Sequence, residues 1–278
     1  MKPAIACLLL SLPIALLIAC QREASAPQSP ASPPPPATGA PPAARAVLAS
    51  PPLTDVSERD PRYLVGISYP PGLQRYPGLA AELQRYADGA RAELKQAVAA
   101  LGADKPSAPY DLSLSFSTVV DSPRIVAVAA DGSTYTGGAH GNPLVARFVW
   151  LPEQNRLLKI TDLVTDARGW RDLSDHVREQ LHAALSQRID ADDLAPAERA
   201  EMMKSALKMI DQGSEPDAAN FRQFEPVLGG GGRIVALRFV FPPYQVGPYS
   251  DGMQTVEVPV SVLRPHLAAA YAELFVAG

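Results

Sequence analysis

Cysteine is almost absent: Cys7 and Cys20 are the only two in 278 residues, both close to the start. No disulfide can therefore staple the remaining chain, and no thiol beyond Cys20 can serve as a nucleophile or a soft metal ligand. Histidine is nearly as scarce. Of the four, His176 and His182 lie six apart on a segment of helical periodicity, about 240° around the axis, and His266 is expected in solvent near the start of a last helix. No three side chains have useful zinc spacing, so no metal and no cofactor is expected. The short motifs of hydrolysis are missing as well, with no Gly-x-Ser-x-Gly and no His-Glu-x-x-His, and no Lys-Ser/Thr follows the glycine run Gly229–Gly232. These gaps argue against an enzyme and leave the catalytic set empty. Basic charge is not in excess either: 25 Lys and Arg stand against 29 Asp and Glu, a formal charge of −4. Nucleic acid is thereby disfavoured as a partner.

What is present begins with an export pattern. Met1-Lys2 precedes an apolar run to Ile18 that is interrupted by Ser11 and Pro13, too short and too broken for a spanning helix of about 20 residues. It ends in Leu17-Ile18-Ala19-Cys20, which resembles a bacterial lipobox, so residues 1–19 are expected to be a signal peptide and Cys20 the acylated first residue of the mature chain. Loss of Lys2, the one charged residue in 1–19, would take the charge from −4 to −5. Several acyl chains, each CH₂ adding about 0.8 kcal/mol, make a stable membrane anchor. Gln21 rather than Asp follows the cysteine, which by resemblance to other lipoproteins directs the protein to the outer membrane, its domain facing the periplasm. From there to Pro52 the chain is Pro, Ala, Ser and Gln, including Pro33–Pro36, and reads as a tether. Fully extended as polyproline it would reach ~100 Å.

The globular part begins at Leu53. Alternation or apolar runs predict strands over 63–69, 110–120, 124–130, 144–151, 221–228, 233–241 and 256–260. Helical spacing predicts helices over 77–101 with Gly102 as its stop, over 170–189, over 196–211, and after Ser261 as cap with Leu263, Leu267, Tyr271 and Leu274 on its stripe. Asp131-Gly132 is expected to be a hairpin turn, with Ser133–Thr136 starting the return. Strands and helices mix without regular βαβ alternation, so the fold class is α+β, a mainly antiparallel sheet packed against several amphipathic helices.

Two loops stand out. Tyr135-Thr136-Gly137-Gly138-Ala139-His140-Gly141 places three glycines and a histidine within five residues. Such glycine density points to backbone with φ > 0 or to close approach without a Cβ. His140 is either a structural side chain hydrogen-bonded inside this turn or a general base, its ordinary pKa being near neutrality. The second loop, Phe241-Pro-Pro-Tyr-Gln-Val-Gly-Pro-Tyr-Ser-Asp-Gly252, separates Tyr244 from Tyr249 by Gly247-Pro248. Those rings form a rigid binding display, or they fold back and anchor the loop through their hydroxyls.

These two segments, with Leu158-Lys-Ile-Thr-Asp-Leu163 between them, resemble the extracytoplasmic module of RsiV-type anti-sigma factors, which also precedes the catalytic domain of PdaC-type peptidoglycan deacetylases. The resemblance runs from Arg59 to the C-terminus and divides into an N-terminal part, 53–151, and a C-terminal part, 152–278. It implies a non-enzymatic module: in RsiV it binds lysozyme, and in the deacetylase the chemistry belongs to another domain. Neither a sigma-binding segment before Cys20 nor a deacetylase domain is evident, so a lipid-anchored copy of the binding module is expected. Lysozyme or peptidoglycan is the ligand implied, with Tyr135, His140, Tyr244 and Tyr249 as candidate ligand-binding residues. The rival expectations are a small envelope hydrolase using His140 and a purely structural envelope protein.

Overall fold

The computed structural model describes residues 53–104, 106–191 and 195–277, all within one compact unit spanning Leu48–Gly278. The expected signal peptide, Cys20 and the tether lie outside the described residues.

The first sheet has six strands in the order β1-β2-β3-β4-β5-β6. β1 (Val56–Asp60) and β2 (Tyr63–Ser68) form a hairpin, after which α1 (Pro77–Ala100) crosses to β3 (Tyr110–Asp121), parallel to β2. A parallel neighbour requires such a crossover, and α1 is built to lie over a sheet. Pro77 opens it where a missing N–H costs nothing, Leu79, Leu83, Ala87, Ala90, Leu94 and Val98 are buried along one stripe, and Gly102 at φ +60° turns the chain out. Each leucine so buried contributes about 1.5–3 kcal/mol. β4 (Val126–Tyr135), β5 (Asn142–Leu151) and the two-residue β6 (Arg156–Leu157) then follow antiparallel.

The short α2 (Ile160–Leu163) leads into the paired helices α3 (Ala167–Ala191) and α4 (Pro196–Gly213). A second, antiparallel sheet, β7 (Phe224–Leu228), β8 (Ile234–Phe241) and β9 (Gln254–Pro259), follows, and α5 (Val260–Leu263) leads to the C-terminal turns. The α+β class with mainly antiparallel pairing is thus observed. α3 buries Leu173, Val177, Leu181, Leu185 and Ile189 at the expected spacing.

The two faces of the first sheet are used unequally. Val65, Leu112, Leu114, Val128 and Trp150 pack beneath α1, while Ser113 and Ser115 of β3 face solvent. On β4 and β5 the opposite face is buried too, because Ile125, Ala127, Val149 and Leu151 join the core formed by α3, α4 and the second sheet.

Three expectations need correction. Asp131-Gly132 is no turn: β4 runs straight through it, Gly132 sitting opposite Leu114 and Leu144. A Cβ there would come within 2.0 Å of the Ser113 carbonyl oxygen, so glycine is required by close strand approach and not by a bend. The last helix is broken into α5 and two 3-10 turns, Arg264–His266 and Ala269–Leu274, with Leu267 bridged to Val164 between them. Pro265 falls at its first break, and Pro259, not Ser261, occupies the N-cap position. Phe221, read as the first residue of a strand over 221–228, instead closes a 3-10 turn, Ala218–Phe221, in which it is buried, and the strand starts at Phe224.

Candidate functional site

The glycine loop is the connection from β4 to β5. Gly137 and Gly138 have φ +99° and +101° with open space where a Cβ would stand, so they serve the path of the backbone. Gly141 serves packing instead, since its Cβ would lie 3.3 Å from the Ser133 side chain. Tyr135 spans the loop by donating its hydroxyl to the Gly138 carbonyl at 3.3 Å. His140 is left exposed at the rim.

The second loop joins β8 to β9 and is pinned from below. Val246 is buried, Gln245 Nε2 donates to the carbonyls of Gly213 and Asn220 at 2.9 Å each, and Asp251 pairs with Arg188 at 2.8 Å. Close packing against α4 requires Gly213, because a Cβ there would meet the Gln245 carbonyl oxygen at 1.9 Å. Above this base a tight turn, Tyr244 N–H to Gly247 O at 3.0 Å, holds Tyr244 at φ +73° with 52% of its surface exposed.

The two loops meet through their aromatic side chains. His140 Nε2 lies 2.6 Å from the Tyr244 hydroxyl, and the imidazole stacks on Tyr249 at 4.0 Å between centroids and 11° between planes. The two tyrosine rings are 5.7 Å apart. His140 Nδ1 lies 3.3 Å from the Gly141 carbonyl, which can only accept, so Nδ1 carries a proton. In the neutral ring Nε2 then accepts from the tyrosine O–H. His140, Tyr244 and Tyr249 thereby form one cluster, while Tyr135 bonds within the glycine loop: His140 is bonded to its own turn but also reaches across to a second loop, Tyr244 is at once exposed and anchored through its hydroxyl, and Tyr249 is half-buried under the imidazole. Among the described residues no carboxylate hydrogen-bonds to His140, so the ring lacks the orienting partner of a catalytic triad. What the arrangement offers is flat aromatic faces with a hydroxyl and an imidazole at their rim.

A neighbouring feature escaped sequence reasoning. A cleft of about 910 Å³ lies along β5, walled by Phe148, Phe224, Pro242 and Pro243 and carrying Lys159 and Arg222. Behind it Arg147, only 5% exposed, pairs with Asp131 at 2.8 Å and Glu225 at 2.5 Å. Tyr86 also borders the cleft, and burial pushes its phenol up. The alternation on β5 marked a strand but gave no sign that its outer edge would stay open.

Two of the remaining histidines are held by carboxylates. His182 sits 3.2 Å from Asp211, and His266 is held between Asp172 at 2.8 Å and Asp166 at 3.5 Å, only 8% exposed and not in solvent as expected. The Asp166 carboxyl is held below its ordinary range by the Gly169 N–H and the nearby imidazole. Among the described residues no three His, Cys, Asp or Glu side chains are grouped to hold a metal, and no helix is long and apolar enough to cross a membrane.

Two family models match the chain: Deacetylase PdaC over residues 57–143, and a protein family of unknown function, DUF3298, over residues 161–261. Solved structures similar to it include a DUF3298 family member from Bacteroides fragilis, 18% identical, covering 78% of this chain and 93% of that one with a TM-score of 0.49. Another is a DUF3298 family protein from Pseudomonas aeruginosa, 16% identical, covering 83% and 99% with a TM-score of 0.44. No curated protein matches the chain. The first matched segment contains Tyr135 and His140 and the second contains Tyr244 and Tyr249, so the aromatic surface is built where the two segments touch. The pairing indicates an envelope-associated module of unknown function: one segment of the chain matches the PdaC family and a later one matches DUF3298, the two parts of the RsiV/PdaC-like module that its glycine and Phe-Pro-Pro-Tyr motifs resemble.

Proposed function

We propose that this chain is a non-enzymatic envelope lipoprotein, anchored in the outer membrane through acylated Cys20, whose module binds lysozyme or peptidoglycan at the surface formed by Tyr135, His140, Tyr244 and Tyr249. The observation that carries this reading is the 2.6 Å contact between His140 and Tyr244, which joins the two most distinctive motifs of the sequence into one exposed patch. Rigid tyrosines lose little entropy on binding, stack on sugar faces or protein side chains, and bring a hydroxyl to fix orientation.

The test is a titration of the full-length protein with purified lysozyme, beside a pull-down on isolated peptidoglycan. Saturation with one of them at about 10 μM or tighter is expected, with a loss of about tenfold, or 1.4 kcal/mol, in His140→Ala and in Tyr249→Ala. No binding of either ligand sinks the assignment. Cys20→Ser should move the protein from the membrane to the soluble fraction; retention in the membrane would refute the anchor.

The hydrolase reading keeps one supporting observation, an imidazole hydrogen-bonded to a hydroxyl in an open site. Turnover of a peptidoglycan substrate that vanishes in His140→Ala, with melting unchanged, would favour it over the binding module.

A further inference from the structure

The outer edge of β5 is open along its first half. On that side it is bordered by β6, which reaches only Trp150 and Leu151, and by the Leu158 N–H, which donates to the Val149 carbonyl at 2.7 Å. Alternate residues of an antiparallel strand turn both backbone groups to the same side, and Val149 fixes the parity: Val145 and Arg147 also face outward, away from β4. The Arg147 N–H has found a side chain as partner, Gln223 Oε1 at 2.7 Å. Among the described residues no group pairs with the outward N–H and C=O of Val145 or with the C=O of Arg147. Such an edge is a template for another strand.

This open run forms one side of the 910 Å³ cleft, and the cleft supplies what an added strand would need. Its walls hold Phe148 and Phe224 for apolar side chains. Its two exposed cations, Lys159 and Arg222, have no carboxylate partner among the described residues, in contrast to Arg147 behind them, which Asp131 and Glu225 neutralise. Two uncompensated positive charges at one cleft, on a chain of formal charge −4, make a local site for an anion. The free backbone groups stand in strand register, which a peptide matches and a sugar chain does not. Pro143, having no N–H, ends the ladder toward the glycine loop.

We infer that this edge takes an extended acidic peptide as an additional strand. Its backbone pairs with Val145 and Arg147 and displaces the Gln223 carboxamide, alternate apolar side chains enter the cleft, and its carboxylates meet Lys159 and Arg222. The run 143–147 matches about five peptide residues, or about 17 Å of strand. The inference rests on none of the residues of the aromatic surface, so it stands or falls separately from the proposed function.

The probe is a fluorescein-labelled, end-blocked hexapeptide alternating glutamate and valine, titrated into the full-length protein. Two comparators accompany it, one with lysine in place of glutamate and one N-methylated at alternate amides. The glutamate peptide is expected to saturate the anisotropy with a Kd of about 100 μM at low salt, and to weaken as salt screens the two charges. Lys159→Gln combined with Arg222→Gln lowers the affinity about tenfold, and N-methylation, which removes the strand donors, lowers it at least as much. Both replaced side chains are exposed, and an unchanged melting curve confirms that the fold is intact. Gln223→Ala frees the Arg147 N–H and tightens the glutamate peptide. No saturation by about 1 mM, equal binding of the lysine peptide, indifference to N-methylation, or unchanged or weaker binding in Gln223→Ala overturns the inference.

Discussion

Tyr244 holds a left-handed backbone conformation, φ +73°, that costs a residue with a side chain about 1–3 kcal/mol. Its neighbours enforce it: Gln245 is bonded to two carbonyls and Val246 is buried, so the chain between Pro242 and Val246 has no other path. Tyr244→Gly should therefore relieve strain while deleting the hydroxyl that meets His140. The expected outcome is a melting temperature unchanged or raised by about 2–4 °C, together with weakened ligand binding. A steep fall in melting would mean that the ring stabilises the fold more than its exposure implies. Tyr69 is the opposite case, a ring stacked on Phe116 at 4.8 Å and 8°. Burial, reinforced by the negative charge of Asp88 and Asp55, pushes its phenol up to about 12. Since the folded protein then holds this proton more tightly than the unfolded chain, where tyrosine ionises near 10, the contribution is complete below about pH 10 and is lost between about 10 and 12. Absorbance titration at alkaline pH should show one tyrosine ionising late, and Tyr69→Phe should flatten the loss of stability in that range.

At the scale of elements, the aromatic loop depends on a residue outside it. Gly213 ends α4 against the Gln245 carbonyl so closely that any side chain would push the loop away. Gly213→Ala is expected to leave most of the fold in place, to cost about 1–3 kcal/mol through the Gln245 contacts it strains, and to weaken ligand binding as strongly as loss of Tyr244. Denaturant unfolding and binding measured on the same variant would check it, and unaltered binding would show that the loop holds its shape without α4. Much at this scale was legible in the sequence. The stripes Leu79–Val98 and Leu173–Ile189 and the alternation of Leu112, Leu114 and Phe116 follow from burying one face, which periodicity reports directly. β1 was not legible, because Val56-Ser-Glu-Arg-Asp60 is a charged edge strand with little apolar alternation, and β6 is only two residues long. Asp131-Gly132 misled because the same dipeptide suits a turn and a crowded strand, and the difference lies in Ser113, nineteen residues before Gly132. The meeting of His140 with Tyr244 lay beyond local reasoning for the same cause: 104 residues separate them, although the glycine loop and the tyrosine loop were each conspicuous.

Over the whole molecule, charge as well as apolar packing joins the two sheets. Arg147 on β5 pairs with Asp131 on β4 and with Glu225 on β7, and Glu225 approaches Arg238 on β8, which pairs with Glu257 on β9. The carboxylates beside Arg238, Glu257 first, raise its guanidinium further above its ordinary range. Removing one member of the buried pair leaves an undercompensated charge, so Glu225→Gln should destabilise by about 2–4 kcal/mol, whereas Glu257→Gln at the exposed end should cost under about 1 kcal/mol. Comparable losses from both would show that the network acts as a surface chain and not through its buried centre. β4 and β5 have a further consequence. Because Ile125, Ala127, Val149 and Leu151 complete an interior whose other walls come after residue 152, the backbone between the two halves is less essential than the surfaces it joins. Produced as separate chains, 53–151 and 152–278, each piece should be insoluble alone, and the two should copurify when expressed together, a protein divisible into complementing fragments.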